Sequence, residues 1–187
     1  DKYQSGTMNV ALEMDNRDGL AAKKNVEVRL LSPEGMEVAK LNSVFEFTQG
    51  QTVKTQNVSF DALTGLKLWT AETPNLYTVE VAQLDADGKE EHVFSTKYGF
   101  RKIEVKNSNV YVNGQKVFFK GANAQDTHPL HGRSIDVATM LKDVQMMKQA
   151  NMNIIRASHY PRQTKMYSMF DYYGLYCMDE ADLECHF

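Results

Sequence analysis

Polar side chains able to do chemistry gather in three short segments of this 187-residue chain. The densest is Asp179-Glu180-Ala181-Asp182-Leu183-Glu184-Cys185-His186, with four carboxylates and a histidine in eight residues. In an extended stretch Glu184 and His186 project to the same side. A carboxylate beside an imidazole, with water in the remaining positions, suits Mg²⁺ or Mn²⁺, and Zn²⁺ is compatible with the same pair. The alternative is an acidic loop that caps a strand. The second segment is Arg156-Ala157-Ser158-His159-Tyr160-Pro161. The Arg156 guanidinium fork can hold a carboxylate or sugar hydroxyls, or make a structural ion pair with Asp179 or Glu180. His159 lies in a loop stiffened by Pro161 and is either a ligand or a surface imidazole. The third segment, Lys120 through Pro129, carries Asn123, Gln125, Asp126 and His128.

Each segment follows a short apolar run that reads as a strand: Val117-Phe118-Phe119, Asn153-Ile154-Ile155-Arg156 and Leu175-Tyr176-Cys177-Met178. Helical patterns separate the runs. Asp136 can cap the first helix, whose apolar stripe is Met140, Leu141, Val144 and Met147. Asn151 is a left-handed stop. A second helix is expected from about Gln163 to Tyr173, ended by Gly174. The run from Leu175 is apolar on both faces, as in a parallel strand covered by helices. Strand, helix, strand, helix, strand is the repeat of an α/β domain, where ligands sit at the carboxyl ends of the strands. Ahead of it, Val110-Tyr111-Val112 and Val117-Phe118-Phe119 flank Asn113-Gly114, a two-residue hairpin signal.

The first 105 residues follow a different pattern. Met8, Val10, Leu12 and Met14 alternate with polar partners, as do Val26, Val28 and Leu30. That period of two places one face of each strand on a core. Ser32-Pro33-Glu34-Gly35 suits a type I turn. Asp85-Ala86-Asp87-Gly88 joins Tyr77, Val79 and Val81 to His92-Val93-Phe94 as a hairpin. Seven or so such strands predict an immunoglobulin-like β-sandwich. The expected organisation is thus a sandwich over 1–105, then over 106–187 the first two or three βα units of a TIM (β/α)₈ barrel. About 82 residues are about a third of the ~250 such a barrel needs.

Composition excludes several classes. A net charge of −3 lacks the basic footprint of a nucleic-acid binder. No apolar run approaches the roughly 20 residues of a membrane-spanning helix. The opening Asp1-Lys2-Tyr3-Gln4 is not a secretory signal, and any signal would lie upstream, leaving cytoplasm and periplasm both open. Two cysteines, Cys177 and Cys185, build no disulfide framework.

Four segments together resemble glycoside hydrolase family 2, in particular its β-galactosidases. Leu68-Trp69-Thr70-Ala71-Glu72-Thr73-Pro74-Asn75-Leu76-Tyr77 with Gly99-Phe100-Arg101 is similar to the end of that family's immunoglobulin-like domain. Val112-Asn113-Gly114-Gln115-Lys116 through Lys120-Gly121-Ala122-Asn123 resembles the approach to its barrel. Asn153 through Pro161, followed by Asp171 and Gly174, resembles the family's best-known pattern, and Asp179 through His186 the stretch after it. His128-Pro129-Leu130-His131-Gly132-Arg133 and the Glu184–His186 pairing lean towards β-galactosidases rather than β-glucuronidases. The resemblance implies a fragment of a retaining β-glycosidase that hydrolyses terminal β-galactosides. Its two catalytic glutamates lie on later barrel strands, so neither Glu180 nor Glu184 takes those roles and the isolated chain is expected to be inactive. It further implies that Glu184 and His186 are magnesium ligands, and that His159, Arg156, Asn123 and Asp126 belong to the sugar subsite. His159 would bond a sugar hydroxyl, and Arg156 would hold neighbouring carboxylates. Many relatives have Asn-Arg-His-Glu where this chain has Asn123-Ala124-Gln125-Asp126. A neutral amide therefore replaces an imidazole aimed at the sugar, which implies a different substrate or a rearranged site. The open barrel edge is expected to promote self-association. The competing reading is a non-catalytic glycan- or protein-binding sandwich, which a cluster of exposed aromatics on one sheet face would mark.

Overall fold

The computed structural model describes residues 3–183, so Glu184, Cys185 and His186 lie outside the described residues. The chain divides into two compact units, Asp1–Lys67 with Leu76–Phe100, and Leu68–Asn75 with Arg101–Phe187. No helix among the described residues is long and apolar enough to cross a membrane.

The first unit is the expected β-sandwich, with six strands among the described residues where seven or so were expected. They are β1 (Gly6–Asp15), β2 (Ala22–Leu31), β3 (Glu37–Phe47), β4 (Val53–Leu63), β5 (Tyr77–Leu84) and β6 (Glu90–Tyr98). One sheet is the antiparallel pair β1-β4, and the other runs β3-β2-β5-β6. The alternation does what a period of two requires. Met8 and Leu12 of β1, Val26, Val28 and Leu30 of β2, and Tyr77, Val79 and Val81 of β5 are all buried. The β2–β3 turn closes with the Gly35 N–H donating to Ser32 O at 2.9 Å, and Gly35 takes a φ of 84°. The β5–β6 turn closes in the same way at Gly88, whose φ is 81°.

The second unit opens with a small antiparallel sheet of β7 (Ile103–Lys106), β8 (Asn109–Val112) and β9 (Gln115–Lys116). Asn113 and Gly114 take φ of 51° and 77°, the paired positive values of a type I′ hairpin. Here the structure corrects one expectation. The strand after that turn covers only Gln115–Lys116, and Phe118 and Phe119 are exposed beyond it. The first barrel strand is instead β10 (Gly121–Ala124). A β-branched and aromatic run is the better strand former by propensity, but β10 must lie close against its neighbour. A Cβ on Gly121 would come within 1.8 Å of Ile154 O.

The βα repeat follows as α1 (Val137–Gln149), β11 (Ile154–Ala157), α2 (Thr164–Tyr173) and β12 (Tyr176–Met178). The Asp136 carboxylate caps α1, accepting from the Thr139 N–H at 2.8 Å, and Asn151 takes the left-handed φ of 56°. Gly174 ends α2 at φ 77°. The three strands form a parallel sheet in the order β10-β11-β12. Ile155 packs with Met140, Val144, Met166, Phe170 and Leu175 of the helical layer. Among the described residues the opposite face is covered only near the strand starts, where Ile154 is buried and the Tyr176 ring meets Trp69 and Phe119, so Met178 is half exposed where a strand covered on both sides was expected.

Leu68–Asn75 belongs to this second unit although it precedes β5 in the chain. Trp69 is 1% exposed, and its indole N–H donates to Asp171 O at 2.8 Å. The Arg101 guanidinium lies 4.5 Å from the indole centroid, and the Tyr176 ring meets it edge-on at 5.5 Å. Lys148 Nζ donates to Ala71 O at 3.0 Å and to Gly174 O at 2.9 Å.

Candidate functional site

Strand register lines up the candidate residues. Asn123 of β10 pairs with Arg156 of β11, which pairs with Met178 of β12. All three turn to the face away from the helices, where they line an open concavity of about 370 Å³. Asn123 is therefore within its strand rather than in the loop beyond, a consequence of β10 starting later than the apolar run suggests.

Arg156 is the hub. Its Nε donates to Glu180 Oε1 in a short charge-assisted contact, and its Nη1 donates to Asn123 Oδ1 at 3.3 Å. Its Nη2 lies 3.5 Å from His159 Nδ1. Glu180 Oε2 is 3.4 Å from the same imidazole nitrogen. Both oxygens of Glu180 thus have partners, so Arg156 does make the structural ion pair weighed above, with Glu180 rather than Asp179. His159 keeps 40% of its side chain exposed, and Arg156 keeps 37%. Polar groups already fixed by one another and still open to solvent can bind a polyhydroxylated ligand without reorganising.

Asp126 does not join this cluster. It is buried, and its carboxylate accepts from Arg162 Nη1 at 2.6 Å. The Arg162 side chain is wholly buried, and among the described residues its Nε and Nη2 have no hydrogen-bond partner. The Asp126 backbone N–H donates to Tyr160 Oη at 3.0 Å, and the Arg162 guanidinium stacks on the Tyr160 ring at 5.5 Å. Asp126 therefore ties the loop after β10 to the loop after β11. Asp143 stands beside this pair, and burial raises its carboxyl pKa while the Arg162 charge opposes the shift.

Tyr167 of α2 supplies the next tie. Its hydroxyl donates to Asp179 Oδ1 at 2.6 Å and accepts from the Arg162 N–H at 2.8 Å. Burial, and then the bond to Asp179, raise its phenolic pKa. The loops after all three barrel strands are thereby cross-braced. Neither Arg162 nor Tyr167 stands out in the sequence, since one is a lone cation after a proline and the other an aromatic on a helix. Cys177 faces the helices, and burial followed by the nearby Asp179 charge pushes its thiol up to about 11.

Glu184 and His186 fall outside the described residues, and no group of three or more potential metal ligands forms among the described ones.

Residues 1–101 match the family described as glycosyl hydrolases family 2, and residues 103–187 match the TIM barrel domain of the same family. The chain is 37% identical over 145 residues to the β-galactosidase of Kluyveromyces lactis, covering 77% of this chain and 14% of that protein. It is 45% identical over 120 residues to the β-galactosidase of Photobacterium profundum, covering 63% of this chain and 12% of that protein. The fold is also that of a family 2 glycosyl hydrolase from Bacteroides cellulosilyticus, with a TM-score of 0.85 at 21% identity, over 96% of this chain and 24% of that one. A β-glucuronidase from Bacteroides uniformis superposes with a TM-score of 0.88 at 21% identity, over 96% of this chain and 21% of that one.

Proposed function

Because the chain belongs to glycosyl hydrolase family 2, we propose that it is a piece of a retaining β-galactosidase and supplies one wall of the sugar subsite. The reading rests on the Arg156 cluster, in which Asn123, His159 and Glu180 meet at the carboxyl ends of neighbouring parallel strands. That is where a barrel enzyme binds its substrate. The β-galactosidase relatives support the choice of sugar, although the chain spans only 14% and 12% of their lengths.

In a retaining mechanism one carboxylic acid protonates the leaving oxygen and a carboxylate about 5–5.5 Å away attacks the anomeric carbon. Glu180 suits neither task. Both of its oxygens are already engaged, one by the Arg156 guanidinium and the other beside the His159 imidazole. Its role in this reading is to orient Arg156 and His159. His159 Nδ1 faces Arg156 and Glu180, leaving the rest of the exposed imidazole to bond a sugar hydroxyl. Both catalytic carboxylates would come from outside these residues.

Glu184 and His186 complete the proposal as ligands of a Mg²⁺ ion, supported by the chemistry of a carboxylate–imidazole pair. When bound, the ion would supply fixed positive charge to the segment after β12. Calorimetric titration with Mg²⁺ should show a site that Glu184→Gln removes, and equal heats from both proteins would contradict it. Among the described residues the outer edges of β10 and β12 have no strand partner, which supports self-association of the isolated chain. Light scattering that finds only monomer at high concentration would exclude that part.

The test of the subsite is an NMR titration of the whole chain with D-galactose and with D-glucuronic acid. Saturable shifts of the His159 ring and the Asn123 side-chain amide by galactose, lost in Arg156→Ala, are expected. Shifts by neither sugar, or by glucuronic acid alone, would overturn the galactoside reading.

A further inference from the structure

Arg162 is buried with half of its hydrogen-bonding capacity unused. Asp126 meets its guanidinium at Nη1 only. Nε and Nη2 form a second edge, where two parallel N–H groups suit a carboxylate held by both oxygens. Among the described residues neither of these atoms has a hydrogen-bond partner. Donors buried without an acceptor are costly, and more so when they carry charge.

A complementary group stands on α1. Asp143 comes three residues after Met140 and four before Met147, so it shares the helix face that turns to the core. It is half-buried there. Burial disfavours its charged form, and the Arg162 guanidinium is the first influence opposing that. The Asp126 charge works against Asp143 as well, but more weakly than Arg162 favours it. Among the described residues no hydrogen bond engages the Asp143 carboxylate. The acidic groups after β12 are already committed, Asp179 to Tyr167 and Glu180 to Arg156. Asp143 has the acceptors that Arg162 lacks, and Arg162 the donors that Asp143 lacks.

We propose that Asp143 is a positioning residue of the sugar subsite, turning its carboxylate onto the Nε–Nη2 edge of Arg162 and so fixing the loop that carries His159. The inference rests on the subsite reading above. Held by Asp126 alone, the guanidinium can pivot about a single bond. Held on both edges, it is fixed against the Tyr160 ring, over which it lies at 5.5 Å. Tyr160 directly follows His159, and its hydroxyl accepts the Asp126 N–H. Asp143 thereby acts on His159 through Arg162 and Tyr160, without touching the sugar.

The test uses the whole chain and compares Asp143→Ala with Asp143→Glu by NMR. Alanine is the strongest helix former and removes a half-buried charge, so circular dichroism should find α1 intact. In the parent the Arg162 Nε–H should give a resolved, slowly exchanging signal. Asp143→Ala should shift that signal and speed its exchange, and Asp143→Glu should restore it. The His159 ring signals should move with it before any sugar is added. Galactose affinity should fall about threefold or more in Asp143→Ala, as expected of a contact behind a binding site, and recover in Asp143→Glu. A freely exchanging Nε–H in the parent, a signal untouched by Asp143→Ala, or a His159 ring that does not respond would overturn the proposal. If the parent binds no galactose, the subsite reading fails, while the sugar-free signals of Arg162 and His159 still decide whether Asp143 holds the loop.

Discussion

Replacing Gly174 by alanine tests whether Leu68–Asn75 is built into the second unit. Gly174 ends α2 with φ of 77°, and a Cβ there would meet Ala71 O at 2.3 Å and Ala71 C at 3.0 Å. The first cost is conformational, about 1 kcal/mol for an L-residue in the left-handed region. The second is steric, since the obstacle is backbone and cannot swing aside. Relief requires Ala71 to withdraw, breaking its bond from Lys148 and loosening Trp69 two residues away, at about 1–3 kcal/mol for an overpacked site. The expected total is about 2–4 kcal/mol. Gly132→Ala is the matched control, because Gly132 has a φ of 61° with nothing within 4 Å of its Cβ. It should cost only the conformational part, about 1 kcal/mol. Trp69 is the sole tryptophan, so its fluorescence during urea unfolding reports this unit directly. Equal destabilisation by the two variants would refute the docking of Leu68–Asn75 against the end of α2.

Three further outcomes follow from the same geometry. Asp126→Asn strands the buried Arg162 charge and should lower stability by about 3–5 kcal/mol in urea titration; a loss under 1 kcal/mol would show the pair to be unimportant. The Thr139 hydroxyl, then its backbone N–H, hold the exposed Asp136 carboxylate below its usual range. A depressed folded pKa adds stability above the unfolded value and loses it as pH falls through the folded value. Asp136→Ala should therefore be less stable than the parent at neutral pH, with the gap closing below about pH 4. In a Cys185→Ser background, alkylation of Cys177 should stay slow at neutral pH and accelerate only as pH approaches about 11. Fast reaction near neutrality would place the thiol in water.

What the sequence shows well here is local. Alternation at Val26, Val28 and Leu30 defines a strand because side chains on a pleat face opposite ways. Asn113-Gly114, Asp136 and Gly174 mark a turn, a cap and a stop through their own backbone or side-chain chemistry. The Val117–Phe119 run misleads because β10 is chosen by close approach rather than propensity, and only the partner at Ile154 reveals why Gly121 is needed. The site divides along the same line. Arg156, His159 and Asn123 are visible as polar groups near strand ends, and register brings them together. Asp126 carries the same visible signal yet is drawn inward by Arg162, 36 residues later, which no local pattern announces. The unit to which Trp69 belongs is decided by Asp171, 102 residues away.

The central claim is that these residues form part of a family 2 glycosidase's sugar subsite without the carboxylates that break the bond. Its most direct test is hydrolysis of a chromogenic aryl β-galactoside by the pure 187-residue chain in the presence of Mg²⁺. The account predicts a rate equal to that of buffer alone, whereas turnover abolished by Glu180→Gln would contradict it by making Glu180 catalytic.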